Sequence, residues 1–363
     1  MVPDDPGVLV VGAGVIGSAV AYHVARRGRP VVVIDADRQP SLTTRASLGV
    51  LTHFNGGSNP LSRLYRDGLD SFAGLAVELG NETGIDIGWR RCGGLDLVIG
   101  DADESEARAN LTYNQGRQCR AEWVDSDGLR DLEPTVVRQA RAAVFYPDDQ
   151  RVDPIRLRQA LLQAAVQRGA RLYLGEELAQ VARLDHETLT VRTSTGAFTA
   201  QAVVFAAGAW TGLLAGRLGA RLVLRPVRGQ HLRFAGGPCP QCVVRHGGFH
   251  ALGADGDVVV GATVEDAGYA PEATAEAAAG LAAARQVMLG AAARPTAQQV
   301  GLRPKPKGAR PMIGPLREWP QVFVAAGHYK NGVIMGPVTG ELVAAWIDSG
   351  HAPWDLSYFA PER

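Results

Sequence analysis

Hydrophobic residues in this chain fall into short unbroken runs, and most runs lead into a glycine and then a helical pattern. The runs are VLVV (8–11), VVVI (31–34), AVVFAAG (202–208) and VFVAAG (322–327). Unbroken apolar runs are typical of parallel strands that are covered on both faces. Between them, 156–169 spaces its apolar residues as a helix does. The pattern predicts an α/β fold built on a Rossmann-like parallel sheet.

Two other stretches, about 85–145 and about 222–300, follow a different pattern. They alternate apolar and polar residues, as in LRF and DVVVGAT, and they contain Gly and Pro turns. Alternation is typical of strands with one solvated face. We therefore expect a smaller α+β domain with an antiparallel sheet at 85–145 and 222–300. The Rossmann-like domain is then discontinuous and consists of 1–84, 146–221 and 301–363.

The first of the runs begins a dinucleotide-binding pattern. It leads into Gly12-x-Gly14-x-x-Gly17, a helix, and a second strand that ends at Asp35. Gly12 permits a tight turn, Gly14 lets backbone N–H groups approach a pyrophosphate, and Gly17 lets the helix lie close to the sheet. Asp35 stands where a carboxylate meets the ribose hydroxyls of adenosine. The strand, turn, helix and acid are in register, so the pattern predicts a dinucleotide site.

The layout of this pattern distinguishes between cofactors. In a simple NAD-dependent dehydrogenase, the six-stranded nucleotide domain is usually one continuous stretch. Here strand–glycine–helix units return at 202–219 and 322–347, and the second helix is predicted to start near Pro337. A long cofactor that spans both domains explains this arrangement. FAD fits, with its ADP end on the first helix and its flavin at the domain boundary.

Composition limits the remaining classes. The chain has 363 residues, is 46% hydrophobic, and has 37 basic and 37 acidic residues, which indicates about two domains and no preference for nucleic acid or an anionic membrane. No window has 18 uncharged apolar residues, and the Ala-rich stretch 272–294 is predicted to be a helix outside any membrane. The N-terminus has no signal-peptide pattern, and four cysteines are too few for a disulfide scaffold, so a cytoplasmic location is expected.

Three further motifs carry little chemistry. Cys239 and Cys242 form a C-x-x-C that precedes two histidines, which leaves zinc, a redox or disulfide pair, or a plain surface loop open; we favour the loop, and no metal is expected. Ser47 has no nucleophile-elbow context, so a hydrolase is not supported. The charged stretch 101–111 is predicted to be the solvated face of a helix.

Five segments resemble the D-amino acid oxidase-like flavoprotein superfamily, and the resemblance covers essentially the whole chain. They are VVGAGVIGSAVAYHVARRG, TTRASLGVL (43–51), AAGAWTG (206–212), GLRPKPKGARPMIG (301–314) and AAGHYKNGVIMGPVTGEL (325–342). The last two look most like the branch that contains the glycine oxidase of thiamine biosynthesis and the sarcosine oxidases. The resemblance implies FAD as cofactor. Since no Cys lies near the GLRP motif, where sarcosine oxidases attach their flavin, the FAD is expected to be non-covalent.

The resemblance also implies which residues bind FAD. The ADP end would meet the glycine turn, Asp35 and the backbone of Leu178, and the flavin would lie against 43–50 and 328–334. A helix starting near Pro337 would point its positive end at the negative charge of a reduced flavin. The predicted cofactor-binding set is Gly12, Gly14, Val15, Ile16, Gly17, Asp35, Ala36, Thr43, Thr44, Leu48, Gly49, Val50, Leu178, Ala207, Gly208, Trp210, Gly314, His328, Tyr329, Lys330, Asn331, Gly332, Val333 and Ile334.

Three residues are predicted to act on the substrate. Arg303 falls where the family keeps the arginine that holds the substrate carboxylate, and its planar fork suits that task. His250 stands in FHALG where relatives have a Tyr, and it is a candidate for a second substrate contact. Lys330 replaces an Arg of the family motif; it could assist reduction of O₂, or it could pair with the substrate or a backbone carbonyl. Sarcosine oxidases have a Lys where this chain has Val259. These departures leave the substrate open.

The predicted reaction is the oxidation of a small amine that bears an α-carboxylate, of the glycine, sarcosine or D-amino acid type. A hydride would pass from Cα to flavin N5, the imine would hydrolyse to a 2-oxo acid, and O₂ would become H₂O₂. Two alternatives remain, which are an amino acid or proline-type dehydrogenase that passes electrons to a quinone or partner subunit, and a flavoprotein subunit of a larger electron-transfer complex. Homo-oligomers are common among the relatives.

Overall fold

A computed structural model gives the fold, and the structure describes residues 7–39, 41–52, 57–117, 119–290, 293–308 and 310–362. Within these ranges the α-helices are α1 (Val15–Arg26), α2 (Leu42–Arg45), α3 (Pro60–Thr83), α4 (Asp101–Gln115), α5 (Ser126–Leu132), α6 (Pro154–Gln167), α7 (Thr211–Gly216), α8 (Ala275–Leu289) and α9 (Gly332–Ser349). The strands are β1 (Val8–Val11), β2 (Val31–Asp35), β3 (Val50–Leu51), β4 (Arg90–Arg91), β5 (Gly94–Val98), β6 (Glu122–Asp125), β7 (Ala142–Tyr146), β8 (Gln150–Arg151), β9 (Arg171–Leu174), β10 (Leu178–Arg183), β11 (Leu189–Thr193), β12 (Ala197–Ala200), β13 (Ala202–Phe205), β14 (Leu224–Phe234), β15 (Val243–His246), β16 (Phe249–Ala254), β17 (Asp257–Gly261), β18 (Pro295–Pro306), β19 (Met312–Pro315) and β20 (Val322–Ala326). Short 3₁₀ turns occur at Gly208–Trp210 and Ser357–Phe359.

The unbroken apolar runs form the centre of a six-stranded sheet with the order β19-β20-β13-β1-β2-β9. Five of its strands are parallel, and β19 joins antiparallel to β20 at one edge. Every residue of β1, β13 and β20 is buried. The predicted Rossmann-like sheet, covered on both faces, is therefore confirmed.

Different layers cover the two faces of this sheet. On one face α1, α3, α6 and α9 enclose the largest core cluster, which includes Val20, Leu161 and Val343. On the other face the core is completed by α7 and by a three-stranded antiparallel sheet, β10-β11-β12, that is inserted between β9 and β13. This second layer brings Leu178, at the start of β10, close to Arg217 in the loop after α7, and Arg217 donates a hydrogen bond to the Leu178 carbonyl at 2.9 Å.

The second large sheet has eight strands in the order β18-β14-β17-β16-β15-β5-β7-β6. All neighbours are antiparallel except β5 and β15. Helix α8 packs Leu281 and Met288 against this sheet beside Phe234. The predicted antiparallel α+β unit is confirmed, with one parallel pair where chain from both of its predicted segments meets.

We propose the two-domain division that the sequence predicts, with one qualification at residue 301. Strand β18 runs through that position and stays paired with β14 from Pro295↔Phe234 to Pro306↔Leu224. The chain therefore carries the Arg303 motif while it is still part of the eight-stranded sheet, and it reaches the six-stranded sheet at β19.

The helical predictions for the charged and Ala-rich stretches are confirmed as α4 and α8. Helix α4 is almost entirely exposed, with only Asn114 buried. Among the described residues, no helix is long and apolar enough to span a lipid bilayer. Residues 1–6, where a signal peptide would begin, lie outside the described ranges.

Candidate active site

The glycine-rich turn after β1 has the geometry that its sequence predicts. Gly12 has φ +108°, and a Cβ there would lie 2.5 Å from the Ala206 carbonyl oxygen at the end of β13. A Cβ at Gly17 would lie 1.8 Å from the Gly12 carbonyl oxygen. Both contacts are with backbone, which cannot retreat cheaply, so larger residues would force the turn and α1 apart. The glycines bring the start of α1 directly over the end of the parallel sheet.

The start of α1 leaves hydrogen-bond donors without partners. The N-cap residue Gly14 offers no side chain, and Val15 N–H donates to Thr44 Oγ1 at 3.1 Å. The N–H groups of Gly14, Ile16 and Gly17 have no acceptor among the residues that the structure describes. Free N–H groups and the helix dipole together favour a bound anion such as a pyrophosphate.

Two charged side chains flank the same turn. Asp35, at the end of β2, accepts a hydrogen bond from Ala13 N–H at 2.6 Å, and burial raises the pKa of its carboxyl. Arg158, on α6, donates its Nε–H to the Ala13 carbonyl, while its buried Nη2 has no partner among the residues that the structure describes. Burial lowers the pKa of the Arg158 guanidinium. An unpaired buried donor beside free helix N–H groups fits the phosphates of a dinucleotide.

A cavity of about 340 Å³ opens between the two large sheets. Its walls are the start of α1, the 43–52 segment, strands β14, β16 and β18, and the start of α9. The predicted residues that line it are Val15, Thr43, Thr44, Leu48, Gly49, Val50, His250, Arg303, Tyr329, Lys330, Asn331, Gly332, Val333 and Ile334.

The other predicted residues lie outside this cavity. Gly12, Gly14, Ile16, Gly17, Asp35 and Ala36 belong to the turn and the end of β2. Leu178 is buried at the start of β10, Ala207 and Gly208 follow β13, and Trp210 is half-exposed beside Tyr269. Gly314 packs against Trp346, where a Cβ would meet the indole ring at 3.0 Å. His328 is buried, and its Nε2 lies 2.9 Å from Thr339 Oγ1 inside α9.

The prediction that the last helix starts near Pro337 is wrong. Helix α9 starts at Gly332, so Pro337 is an interior residue. An interior proline forgoes one helical hydrogen bond, a cost of about 3 kcal/mol. Close packing against α1 offsets this cost, since Gly340 approaches Ala19 so closely that a Cβ would lie 2.5 Å from its carbonyl carbon.

The corrected start of α9 moves its positive end into the cavity. Met335 N–H bonds to the Asn331 carbonyl at 3.0 Å, whereas the N–H groups of Gly332, Val333 and Ile334 have no acceptor among the described residues. All three residues line the cavity. The predicted dipole at the flavin is therefore available from 332–334, one and a half turns earlier than the proline indicated.

Arg303 lies flat across the neighbouring strand. Its guanidinium stands over Gly229 of β14, where a Cβ would lie 2.2 Å from Cζ, and Nη1 donates to the Thr263 carbonyl at 2.8 Å. No carboxylate lies within salt-bridge distance of Arg303 in the described part of the chain. Burial lowers the pKa of the guanidinium, although arginine keeps its charge at neutral pH. The site therefore holds a cation that has no salt-bridge partner among the described residues, although the Glu265 carboxylate lies near enough to raise its pKa.

His250 faces the same cavity from β16. Opposite it on β15 is Arg245, which is ion-paired with Asp96 and the buried Asp149. Burial, and secondarily the Arg245 charge, lower the pKa of His250 to about 4. His250 is therefore a neutral imidazole at pH 7, which can donate one hydrogen bond but is a weak base.

The sequence reasoning missed several lining residues, which are Ala46, Thr52, Gly229, Gly248, Ala262 and Gly301; Ser47, considered only as a nucleophile, also lines the cavity. Gly229 and Gly301 face each other across β14 and β18. A glycine inside a strand often marks a close approach by another group. Gly229, in the run VRGQHLRF, fits this pattern, but the sequence does not indicate that the group approaching it is the Arg303 guanidinium.

The C-x-x-C motif is only partly the surface loop that was favoured. Cys242 is buried in the core of the eight-stranded sheet, where burial raises the pKa of its thiol to about 12. The turn before it is fixed by Glu133, whose carboxylate accepts from Gln241 N–H at 2.6 Å and Cys242 N–H at 2.8 Å. Both cysteines are free thiols, and no described group of three His, Cys, Asp or Glu side chains could hold a metal ion.

Comparison with known proteins identifies relatives along the whole chain. Residues 7–346 match the family described as FAD dependent oxidoreductase. The chain is 31% identical to a glycine oxidase of Geobacillus kaustophilus (strain HTA426), over 98% of this chain and 96% of that protein. It is 28% identical to the hydrogen cyanide synthase subunit HcnC of Pseudomonas aeruginosa, over 98% and 95% of the two chains. The fold matches the crystal structure of glycine oxidase from Geobacillus kaustophilus with a TM-score of 0.91 and 29% identity, over 99% of both chains.

These matches confirm the family resemblance, the fold class and the cofactor that the sequence predicts. The free N–H groups of α1 and α9 and the Nη2 of Arg158, which has no partner among the described residues, fit a long anionic cofactor with its reactive end in the cavity. The chain belongs to the FAD-dependent oxidoreductase family of D-amino acid oxidase-like proteins, and it acts on C–N bonds with FAD as its cofactor.

Proposed function

We propose that the protein oxidises a small primary or secondary amine that bears an α-carboxylate, and that Arg303 binds this carboxylate. The observation that carries the proposal is the state of Arg303, a cavity-facing cation held by the Thr263 carbonyl with no described carboxylate in salt-bridge range. A charged group taken out of water without a partner is costly, so the site favours a ligand that supplies the anion. The planar guanidinium of Arg303 can bind a carboxylate through two parallel hydrogen bonds.

The chain's own residues position the substrate and the charge that develops. Bound FAD would supply the acceptor for the hydride that leaves Cα as the C–N bond becomes C=N. The N–H groups of 332–334 stabilise negative charge at their end of the cavity. No Asp or Glu is among the described lining residues, and His250 is a weak base, so the amine is bound in its neutral form. The imine product is hydrolysed to a 2-oxo acid and ammonia or an amine.

We also propose that the residues implied by the family act as predicted towards FAD. The turn at 12–17, with Asp35, binds the ADP end, and the orphan Nη2 of Arg158 is available to the diphosphate. The segment 43–50 and the start of α9 line the flavin end of the cavity. None of the described lining residues is a cysteine, which supports a non-covalent flavin.

O₂ is the proposed electron acceptor, and the similarity to glycine oxidases supports this choice. The similarity to HcnC, which is named as a subunit of hydrogen cyanide synthase, favours a second candidate, a dehydrogenase that passes electrons to another acceptor or subunit. The reoxidation of the reduced flavin distinguishes the oxidase from the dehydrogenase. An oxidase reoxidises in air and releases H₂O₂, whereas a dehydrogenase stays reduced until a dye or quinone is added.

The test is anaerobic mixing of the FAD-loaded protein with glycine, sarcosine, D-alanine and D-proline, followed by admission of air. Bleaching of the flavin band near 450 nm by at least one of them is expected, and H₂O₂ should follow. Arg303→Ala should raise the substrate Kd in the reductive step by roughly 10- to 150-fold, the value of one charge-assisted interaction of about 1.5–3 kcal/mol. Methylamine, which has no carboxylate, is the matched control. A flavin that no carboxylated amine bleaches, or an Arg303→Ala protein with unchanged Kd, contradicts the proposal.

A further inference from the structure

The cavity is lined by two positively charged side chains, whereas a substrate with one carboxylate supplies one negative charge. Arg303 and Lys330 both line it, and no Asp or Glu is among its described lining residues. Neither cation has a salt-bridge partner in the described ranges, in contrast to Arg228 nearby, which is paired with Glu265 at 2.7 Å. Lys330 is partly exposed at the open side of this cavity, but two cations that line one cavity still repel each other, and a ligand with a single carboxylate neutralises only one of them.

The backbone holds Lys330 at this position. Tyr329 is one of the few described non-glycine residues with a positive φ, +52°, and its N–H donates to the Pro304 carbonyl at 3.2 Å. This bond ties the turn before α9 to β18, one residue from Arg303. Lys330 Nζ lies over the Tyr329 ring, 5.6 Å from its centre, and both residues line the cavity. The turn therefore places Lys330 and Arg303 in the same cavity although they come from different elements.

A second lysine provides an internal comparison. Lys305 Nζ lies 5.3 Å from the centre of the same Tyr329 ring, but Lys305 does not line the cavity. Burial, and then the charges of Arg303 and Lys305, lower the pKa of Lys330. An anion bound between Arg303 and Lys330 would relieve this repulsion.

We propose that the preferred substrates carry a second acidic group, which Lys330 binds while Arg303 holds the α-carboxylate. The substrate class is a short amine with two carboxylates, either an N-carboxyalkyl amino acid or an acidic amino acid. This inference rests on the proposed function and narrows it. It assigns Lys330 to recognition of the substrate, as a charge-assisted donor to the distal acid.

The first test compares two thioethers that cannot be oxidised as amines. Thiodiacetate has two carboxylates and (methylthio)acetate has one, and sulfur replaces the reacting nitrogen in both. Titration of each into the FAD-loaded protein, followed by the change in flavin absorbance, gives two dissociation constants. Thiodiacetate is expected to bind at least tenfold more tightly, the effect of about one charge-assisted hydrogen bond. Equal binding of the two ligands overturns the proposal.

The second test assigns the preference to Lys330. Lys330→Met should bring the ratio of the two dissociation constants close to one, and Lys330→Arg should keep most of it. Lys305→Met is the matched control, since it removes an ammonium from the same ring without touching the cavity wall, and it should keep the ratio. A preference that survives in Lys330→Met, or that is lost equally in Lys305→Met, overturns the assignment.

The third test uses substrates and separates the two proposals. Iminodiacetate should exceed sarcosine in kcat/KM for the amine, and Lys330→Met should remove the difference. A defect of Lys330→Met that falls instead on kcat/KM for O₂, equally with both amines, overturns a role in substrate recognition. If no amine reduces the flavin and neither thioether perturbs it, the proposed function itself fails. If sarcosine reduces it and iminodiacetate has no advantage, only the present inference fails.

Discussion

Gly229→Ala tests whether the absence of a side chain at this position of β14 determines where the Arg303 guanidinium lies. An added Cβ would lie 2.2 Å from Arg303 Cζ and Nη2 and 2.4 Å from Nη1. Ordinary van der Waals contact begins at 3.4 Å, so the guanidinium must retreat by more than 1 Å. The atoms that clash are the far end of a flexible side chain. The fold should therefore survive, and the displacement should be confined to Arg303.

The magnitude follows from hydrogen-bond geometry. A shift of more than 1 Å takes a donor at about 2.9 Å beyond the range in which a hydrogen bond forms. The substrate carboxylate would then lose about 1.5–3 kcal/mol, which is roughly a 10- to 150-fold rise in Kd. Gly229→Ala should thus resemble Arg303→Ala in substrate binding, although the arginine is still present.

The assay is anaerobic stopped-flow reduction of the flavin at increasing sarcosine, which gives Kd and the limiting rate separately. Gly280→Ala is the control, because that helical glycine is exposed and a Cβ there would have no neighbour outside its own helix within 4 Å. Since Gly229 acts through Arg303, the two substitutions should not be additive, and Gly229→Ala should add little to Arg303→Ala. An unchanged Kd in Gly229→Ala, or a fully additive double variant, would refute the positioning argument.

Three further predictions concern packing, pH and thiol reactivity. Gly340→Ala should lower Tm and the bound flavin content together, because its Cβ would lie 2.5 Å from the Ala19 carbonyl carbon and force α9 away from α1. Tm and the A450/A280 ratio measure this, and the control Gly280→Ala should leave the flavin content unchanged and should not lower Tm, since alanine is the better helix former. Three buried histidines and the half-buried His250 have lowered pKa values, with His23 and His328 at about 3 and His231 and His250 at about 4. The unfolded chain binds these protons near pH 6.5 and the folded chain does not, so stability is complete above that pH and should fall towards pH 4, by up to about 1.4 kcal/mol per unit for each histidine. Urea unfolding at pH 7 and pH 5 checks the sign, and a higher stability at pH 5 would contradict it. Cys242, with a thiol pKa of about 12, should resist iodoacetamide at pH 8 in the folded protein and react after unfolding, as mass spectrometry of the tryptic peptide would show.

The parts of the fold that depend on local pattern could be predicted. The runs at 8–11 and 202–208 became the neighbouring parallel strands β1 and β13, since an unbroken apolar run needs cover on both faces. The start of α9 could not be predicted in this way. A proline marks the first turn of a helix only where tertiary packing does not extend the helix beyond it. Here Gly340, in the turn after Pro337, packs α9 closely against α1.

The residues of the candidate site also fall into those that local sequence motifs predicted and those that depend on contacts between distant parts of the chain. Arg303 and residues 329–334 were found because they lie in contiguous motifs, and all of them line the cavity. Gly229 was missed because its role depends on the β14–β18 register, which joins residues more than seventy positions apart. Thr263, whose carbonyl fixes Arg303, was missed for the same reason, since a backbone acceptor leaves no signature in its side chain.

The arrangement of α1 and α9 favours an anionic ligand between the two helices. Each helix follows a strand of the same parallel sheet, β1 for α1 and β20 for α9. The contacts between them advance in step, with Gly336 against Ile16 and Gly340 against Ala19, so the two helices run parallel. Their positive ends therefore stand side by side, and both carry N–H groups that no described residue accepts. Parallel dipoles at contact distance repel unless an anion bridges them. The fingerprint at 12–17 predicted one of these ends, whereas the packing of the small residues places a second one beside it, so we propose that both contribute to binding of the cofactor.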